Sequence, residues 1–249
     1  MTANLAEKQV HEVAQTNGKN GTPATELPPL QAGDFLTRPE FERRYLAHPE
    51  IKKAELIEGI VYMPSPVKAK YHGDPHFNMI GWLSVYQFNT PFVQGSDNAT
   101  LRMDLLNEPQ PDALLRLAPE LGGQCAIDSD GYLVGAPELI VEIAASSRSY
   151  DLHQKKEVYA RHGVQEYLVV QVYEKFVSWF ALRDGEYQPL QADDNGILHS
   201  EIFPGLWLQP TAIWNNDPSL LSTLQQGLHS PEHKQFLELL ESRRASDSK

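Results

Sequence analysis

The chain has 249 residues, 41% of them hydrophobic and 22% charged, enough to bury a full core and suited to one α/β domain with appendages rather than two large domains. A single cysteine, Cys125, excludes an internal disulfide framework and fits a reducing cytoplasm; no apolar run approaches the roughly 18 to 20 residues of a membrane span, and no apolar leader opens the chain, so no membrane partner is expected. The net charge of −12 opposes generic affinity for phosphate backbones, which rests on Lys and Arg, so any nucleic-acid contact needs a local basic patch.

Residues 1 to about 33 are polar and rich in Asn, Thr, Gly and Pro, and are expected to form a flexible N-terminal arm. Order is expected from Thr37-Arg38-Pro39-Glu40, where Thr followed by Glu three residues later makes a capping box and Pro39 sits early in a helix running to about His48. AELIEGIVYM, residues 54–63, reads as a hairpin or bulged strand around Glu58-Gly59. From His76 the apolar positions recur at near-helical spacing until Pro91. Short strands follow in FVQGS, ATLRMDL and DALLRLA.

PELIVEIAASSRSYDLHQKKEVYARHGVQEYLVVQVY reads as strand, Ser-rich loop, helix from about Asp151 to Arg161, and strand. Both strands carry apolar runs suited to burial on two faces, and Gly163 stands where a helix C-cap belongs. FVSWFALRDGEYQPL is a hairpin turning at Asp184-Gly185. From about Pro218 two short helices are expected, the second opening at Ser230-Pro231-Glu232. This divides the chain into the arm, a main domain over 34–215 and a helical extension over 216–249.

Glu142 interrupts an otherwise apolar strand, so its carboxylate must meet a metal, a cation or a hydrogen-bond donor. The plain alternative is an ion pair with Lys155, Lys156 or Arg161 of the next helix. Asp112 follows Pro-Gln-Pro and opens a strand; alone this is turn chemistry. Together, two strand-borne carboxylates can converge on one hard cation such as Mg²⁺, with Mn²⁺ as a substitute. Lys155 and Tyr159 lie one helical turn apart on one face, and a lysine returned over the carboxylates can orient water or offset charge on a phosphate. His72 and His76, with Asp74 between them, suit backbone or substrate contacts better than a transition metal. Asn98, Arg102 and Gln110 flank Asp112 without a pattern that assigns them a role, and Trp179 and Trp207 read as core aromatics because no basic residues interleave with them.

The ordered series AELIEGIVYMPSP, a His-led helix, PQPDALL, PELIVEIAASS, D-x3-K-x3-Y (Asp151, Lys155, Tyr159) and GVQEYLVV resembles the bacterial Uma-two family over about residues 36 to 183. That family is grouped with restriction endonucleases of the PD-(D/E)xK superfamily. The resemblance implies an α/β fold with a central mixed β-sheet flanked by helices, plus an added β-hairpin region and C-terminal helices. It also implies Mg²⁺-dependent phosphodiester cleavage with Asp112 and Glu142 as metal ligands, Lys155 as the catalytic lysine and Glu55 as an acid near the site; Lys156 is the reserve lysine, and His72 and Tyr159 are accessory candidates on their own positions. The superfamily's E-x-K spacing would put a lysine at position 144, which is Ala144 here, so the lysine must come from the following helix. The expected partner is nucleic acid, DNA favoured, with a homodimer left open. Two other readings stand beside it: a nuclease fold retained as a binding or regulatory module, consistent with the acidic charge and Ala144, and a hydrolase acting on a non-nucleic substrate through two carboxylates.

Overall fold

The computed structural model describes residues 27–63 and 68–247. The first 26 residues of the expected arm, and the PSP of the first motif, lie outside them. Within residues 27–33, Leu30 is buried against Phe41, Leu56 and Val61, and the Gly33 N–H donates to the Val61 carbonyl at 2.9 Å.

Helix α1 (Arg38–Ala47) starts at Thr37 as expected, with Pro39 in its first turn. The capping box does not form. Thr37 makes no side-chain cap, because Glu40 is drawn forward into ion pairs with Arg43 and Arg44, each at 2.7 Å. Strands β1 (Glu55–Ile57) and β2 (Ile60–Tyr62) form an antiparallel hairpin. Its turn places Glu58 at φ 52° and Gly59 at φ 77°, the two positive angles that a tight hairpin with right-handed strand twist demands. Helix α2 (Gly73–Asn89) begins three residues before His76.

Strands β3 (Val93–Asp97), β4 (Leu101–Arg102), β5 (Ala113–Leu117), β6 (Ala126–Ile127), β7 (Leu133–Val134) and β8 (Leu139–Ala144) follow. A helical stretch comes next: a turn at Arg148–Tyr150, a π-helical turn over Asp151–Lys155, and α3 (Lys156–His162), closed by Gly163 at φ 83°. The chain continues through β9 (Glu166–Gln171), β10 (Phe176–Arg183), β11 (Glu186–Pro189), β12 (Leu198–His199) and β13 (Trp207–Leu208) to α4 (Ser219–Leu228) and α5 (Pro231–Asp247).

Six strands form the central sheet in the order β11-β10-β9-β8-β5-β3, with β8 and β9 parallel and every other neighbour pair antiparallel. The parallel pair at the centre is joined by α3, as a β-α-β crossover requires. Alternation along β8 sorts its side chains. Leu139, Val141 and Ile143 enter the larger core with Trp82 and Met79 of α2, while Ile140 and Ala144 enter a second core with Tyr159, Tyr167 and Cys125 under α3. Trp179 lies edge-on to Trp82 at 5.9 Å in the larger core, so it is the core aromatic expected. Leu220, Leu224, Phe236 and Leu240 of α4 and α5 are buried in that core too. No helix among the described residues is long and apolar enough to cross a membrane.

Candidate active site

Glu142 shares the α3-facing side of β8 with Ile140 and Ala144. β5 pairs with β8 through Ala113 opposite Val141, and continuing that register by one residue puts Asp112 opposite Glu142. The two carboxylates are therefore cross-strand neighbours at the end of the ladder. Antiparallel pairing thus converts a sequence separation of thirty residues into adjacency.

Each carboxylate has one oxygen engaged. Asp112 Oδ2 accepts the Ile143 N–H at 2.8 Å, which leaves Oδ1 facing Lys53 Nζ at 3.6 Å and His72 Nε2 at 3.5 Å. Glu142 Oε1 accepts from Lys155 Nζ and from the Tyr159 hydroxyl, both at 2.9 Å. Lys155 Nζ also donates to Glu55 Oε1 at 2.8 Å and lies 3.9 Å from Asp151. Glu55 is on the first strand, and its Oε1 accepts the Gln110 N–H as well, at 2.7 Å.

The π-helical turn carries both Asp151 and Lys155 inward. The two residues are four apart and share one face, and they are 2% and 3% exposed. Lys156, the reserve lysine, is not brought to the cluster. Consecutive helical residues point about 100° apart, and its Nζ sits 3.7 Å from the Phe180 ring centroid.

Three buried carboxylates, on Glu55, Glu142 and Asp151, thus share one buried ammonium, and a fourth, on Asp112, lies beside them and faces Lys53 and His72. That imbalance explains the titration of the cluster. Burial, reinforced by the neighbouring carboxylates against the pull of Lys155, pushes Glu142 up to about 8. Burial likewise lifts Asp151 to about 6, against Lys155 and a Ser147 hydrogen bond. Lys155 is held well above its ordinary value by Glu142 and Glu55, which outweigh its own burial. Burial pushes the His72 imidazole below its ordinary value, opposed by Asp112.

The cluster forms one wall of a cleft of about 720 Å³ that Lys53, Lys68, His72, Asn98, Tyr150 and Tyr173 also line. His76 Nε2 lies 2.9 Å from the Asp112 carbonyl oxygen and 3.0 Å from Asp97 Oδ1, which braces the start of β5. Asp74 is exposed in the first turn of α2. Arg102 is taken up by Glu42, Asp128 and Asp130. Lys53 escaped the sequence reading, although its spacing of two from Glu55 is the strand period that sets both on one face. Asp151 stood in the D-x3-K-x3-Y series without a site role, and Tyr150 escaped the reading.

Among the described residues, no group of three or more His, Cys, Asp and Glu side chains is disposed to hold a metal unaided. A magnesium ion does not require such a cage, because it binds through one or two carboxylates and completes its octahedron with water and substrate oxygens. Asp112 Oδ1 and the second oxygen of Glu142 fit that donor set, and the surplus of carboxylates over ammonium fits a site for a further cation.

A mixed sheet with a central parallel pair, helices on both faces, and Asp, Glu and Lys gathered at the end of its middle strands is the restriction-endonuclease-like fold of the PD-(D/E)xK class. The chain belongs to the Uma2 family, described as "Putative restriction endonuclease", whose sequence profile matches residues 38–211. A solved structure described as "a putative nuclease belonging to DUF820 from Anabaena variabilis" is similar in fold, at a TM-score of 0.50 and 12% identity over 80% of this chain and 97% of that one. A search of curated proteins gave no match.

Proposed function

We propose that this protein hydrolyses phosphodiester bonds of nucleic acid with the help of a divalent cation, Mg²⁺ or Mn²⁺, held by Asp112 and Glu142. The observation that carries the reading is the convergence of those two carboxylates from neighbouring antiparallel strands, beside a buried lysine and at the wall of an open cleft. When bound, such a cation supplies Lewis-acid activation of water and neutralises phosphate charge.

The chain's own groups prepare that chemistry. The Ile143 N–H fixes the Asp112 carboxylate and leaves Oδ1 turned to the cleft. Lys155 and Tyr159 fix Glu142 in the same way, through Oε1 alone. Lys155 is 3% exposed and held by carboxylates on three elements, so it acts by orienting them. Lys53 and His72, both half-buried beside Asp112, are better placed to meet a phosphate oxygen.

That occupancy of Lys155 also favours a second reading, a binding module that keeps the fold without turnover. Calorimetric titration with Mn²⁺, together with cleavage of end-labelled DNA, separates the two. The parent chain is expected to bind Mn²⁺ and to cleave, while Asp112→Asn and Glu142→Gln lose both and keep their circular dichroism. A parent chain that binds no metal and leaves DNA intact would sink the hydrolase and leave the module.

A further inference from the structure

We infer that the cleft receives a single nucleic-acid strand, seated on tyrosines, rather than a base-paired duplex. This rests on the reading of the cleft as a phosphodiester site and narrows its substrate.

The volume of about 720 Å³ falls within the roughly 300–1,000 Å³ of pockets that enclose small ligands. It suits one or two unstacked nucleotides. Asp112 and Glu142 are 5% and 3% exposed, so a phosphate must descend to reach them. A site recessed in this manner admits a flexible unpaired strand more readily than a rigid duplex.

Charge points the same way. Affinity for a duplex comes from many Lys and Arg contacts along both backbones, whereas the cleft is lined by the ammoniums of Lys53, Lys68 and the fully engaged Lys155, on a chain of net charge −12. What the cleft has instead is aromatic surface. Tyr71 and Tyr173, from separate elements, pair with ring centroids 5.3 Å apart, and Tyr173 is 57% exposed. Tyr62 and Tyr150 pair at 4.2 Å. All four line the cleft.

Next to Tyr71, Lys70 holds its ammonium 5.4 Å from the ring centroid, so two cations and two rings lie together along Lys68, Lys70, Tyr71 and His72. The Tyr150 hydroxyl is buried with no hydrogen-bond partner among the described residues. Stacked tyrosines with a few cations are the means by which proteins hold single strands with little regard to sequence.

The test is fluorescence anisotropy of a labelled eight-nucleotide DNA, alone and annealed to its complement, with the full chain in EDTA, run beside the Mn²⁺ titration. The single strand is expected to bind at least about ten-fold more tightly than the duplex. Tyr173→Ala should weaken single-strand binding by about five-fold or more and Tyr173→Phe should restore it, with Mn²⁺ affinity unchanged throughout. Two phosphate contacts, by Lys53 and Lys68, give a log–log salt slope near about −1.4. Equal or tighter binding of the duplex, an unaffected Tyr173→Ala variant, or no binding of either DNA would each overturn the inference and leave the metal site standing. Tyr173-dependent binding of the single strand by a chain that takes no Mn²⁺ would support it and count against the hydrolase.

Discussion

Glu142 is an ion-pair partner and a candidate metal ligand at once, and the structure shows why these are not rival descriptions. The Lys155 ammonium is shared among Glu55, Glu142 and Asp151, so its pair with Glu142 leaves negative charge over. The resulting shifts fix a pH dependence. Burial raises Glu142 to about 8 and Glu166 to about 7, and burial with the adjacent Glu42 raises Glu108 to about 9. A carboxyl whose folded value lies above its unfolded value contributes stability that is complete below the unfolded value and is lost as pH rises through the folded one. His72, which is lowered, acts only on the acid side, where its protonation disfavours the fold. Between about pH 6.5 and 9 the metal-free protein is therefore expected to lose thermal stability with rising pH, and Glu142→Gln should flatten that slope. Mn²⁺ affinity should rise over the same window, because the Glu142 proton must leave before a cation binds. Melting curves and titrations at three pH values check both, and a stability that climbs toward pH 9 would refute the assignment.

Elements with a strong pattern were readable in the sequence, and those held by tertiary contact were not. The apolar runs of β8 and β9, the Asp184-Gly185 turn and Gly163 marked the β-α-β unit and the hairpin that follows, because period, turn chemistry and caps agree there. Strands β6, β7, β12 and β13 have two residues each, too few to show a period, whereas β4, equally short, lies within the expected ATLRMDL strand. The candidate site divides in the same way. Asp112 and Glu142 stand out because a carboxylate interrupts or opens an apolar strand. By contrast, the bond from Lys155 to Glu55 spans a hundred residues and depends on the π-helical turn. Close backbone approach was equally hidden. Gly227 of α4 packs so near the Gly205 carbonyl that a Cβ there would run into that oxygen and into Trp207. Gly227→Ala is expected to lift α4 from β13 and cost about 1–3 kcal/mol or more, read by chemical denaturation; an unchanged midpoint would show that the helix can shift freely.

The two helices at the C-terminal end, set apart in the sequence as an extension, are built into the larger core through Leu220, Leu224, Phe236 and Leu240. They also close over α2, where Thr90 meets His233 at 3.0 Å. The described residues thus form two cores on the faces of the central sheet and a third cluster around Phe41 and the β1–β2 hairpin, and the core under α3 holds the layer that carries Lys155 and Tyr159. The chain's one thiol lies in that layer. Cys125 is fully buried and burial pushes its thiol up to about 11. An alkylating reagent needs an exposed thiolate, so Cys125 can react only when the layer bearing the candidate site opens. Labelling is then a clock wired to the site itself. Mn²⁺ at a hundred times its dissociation constant should slow that clock by about a hundred-fold, since a ligand that binds only the closed form suppresses the open one in proportion. With Mn²⁺ bound as proposed, Cys125 would report site occupancy with no probe beyond a thiol reagent.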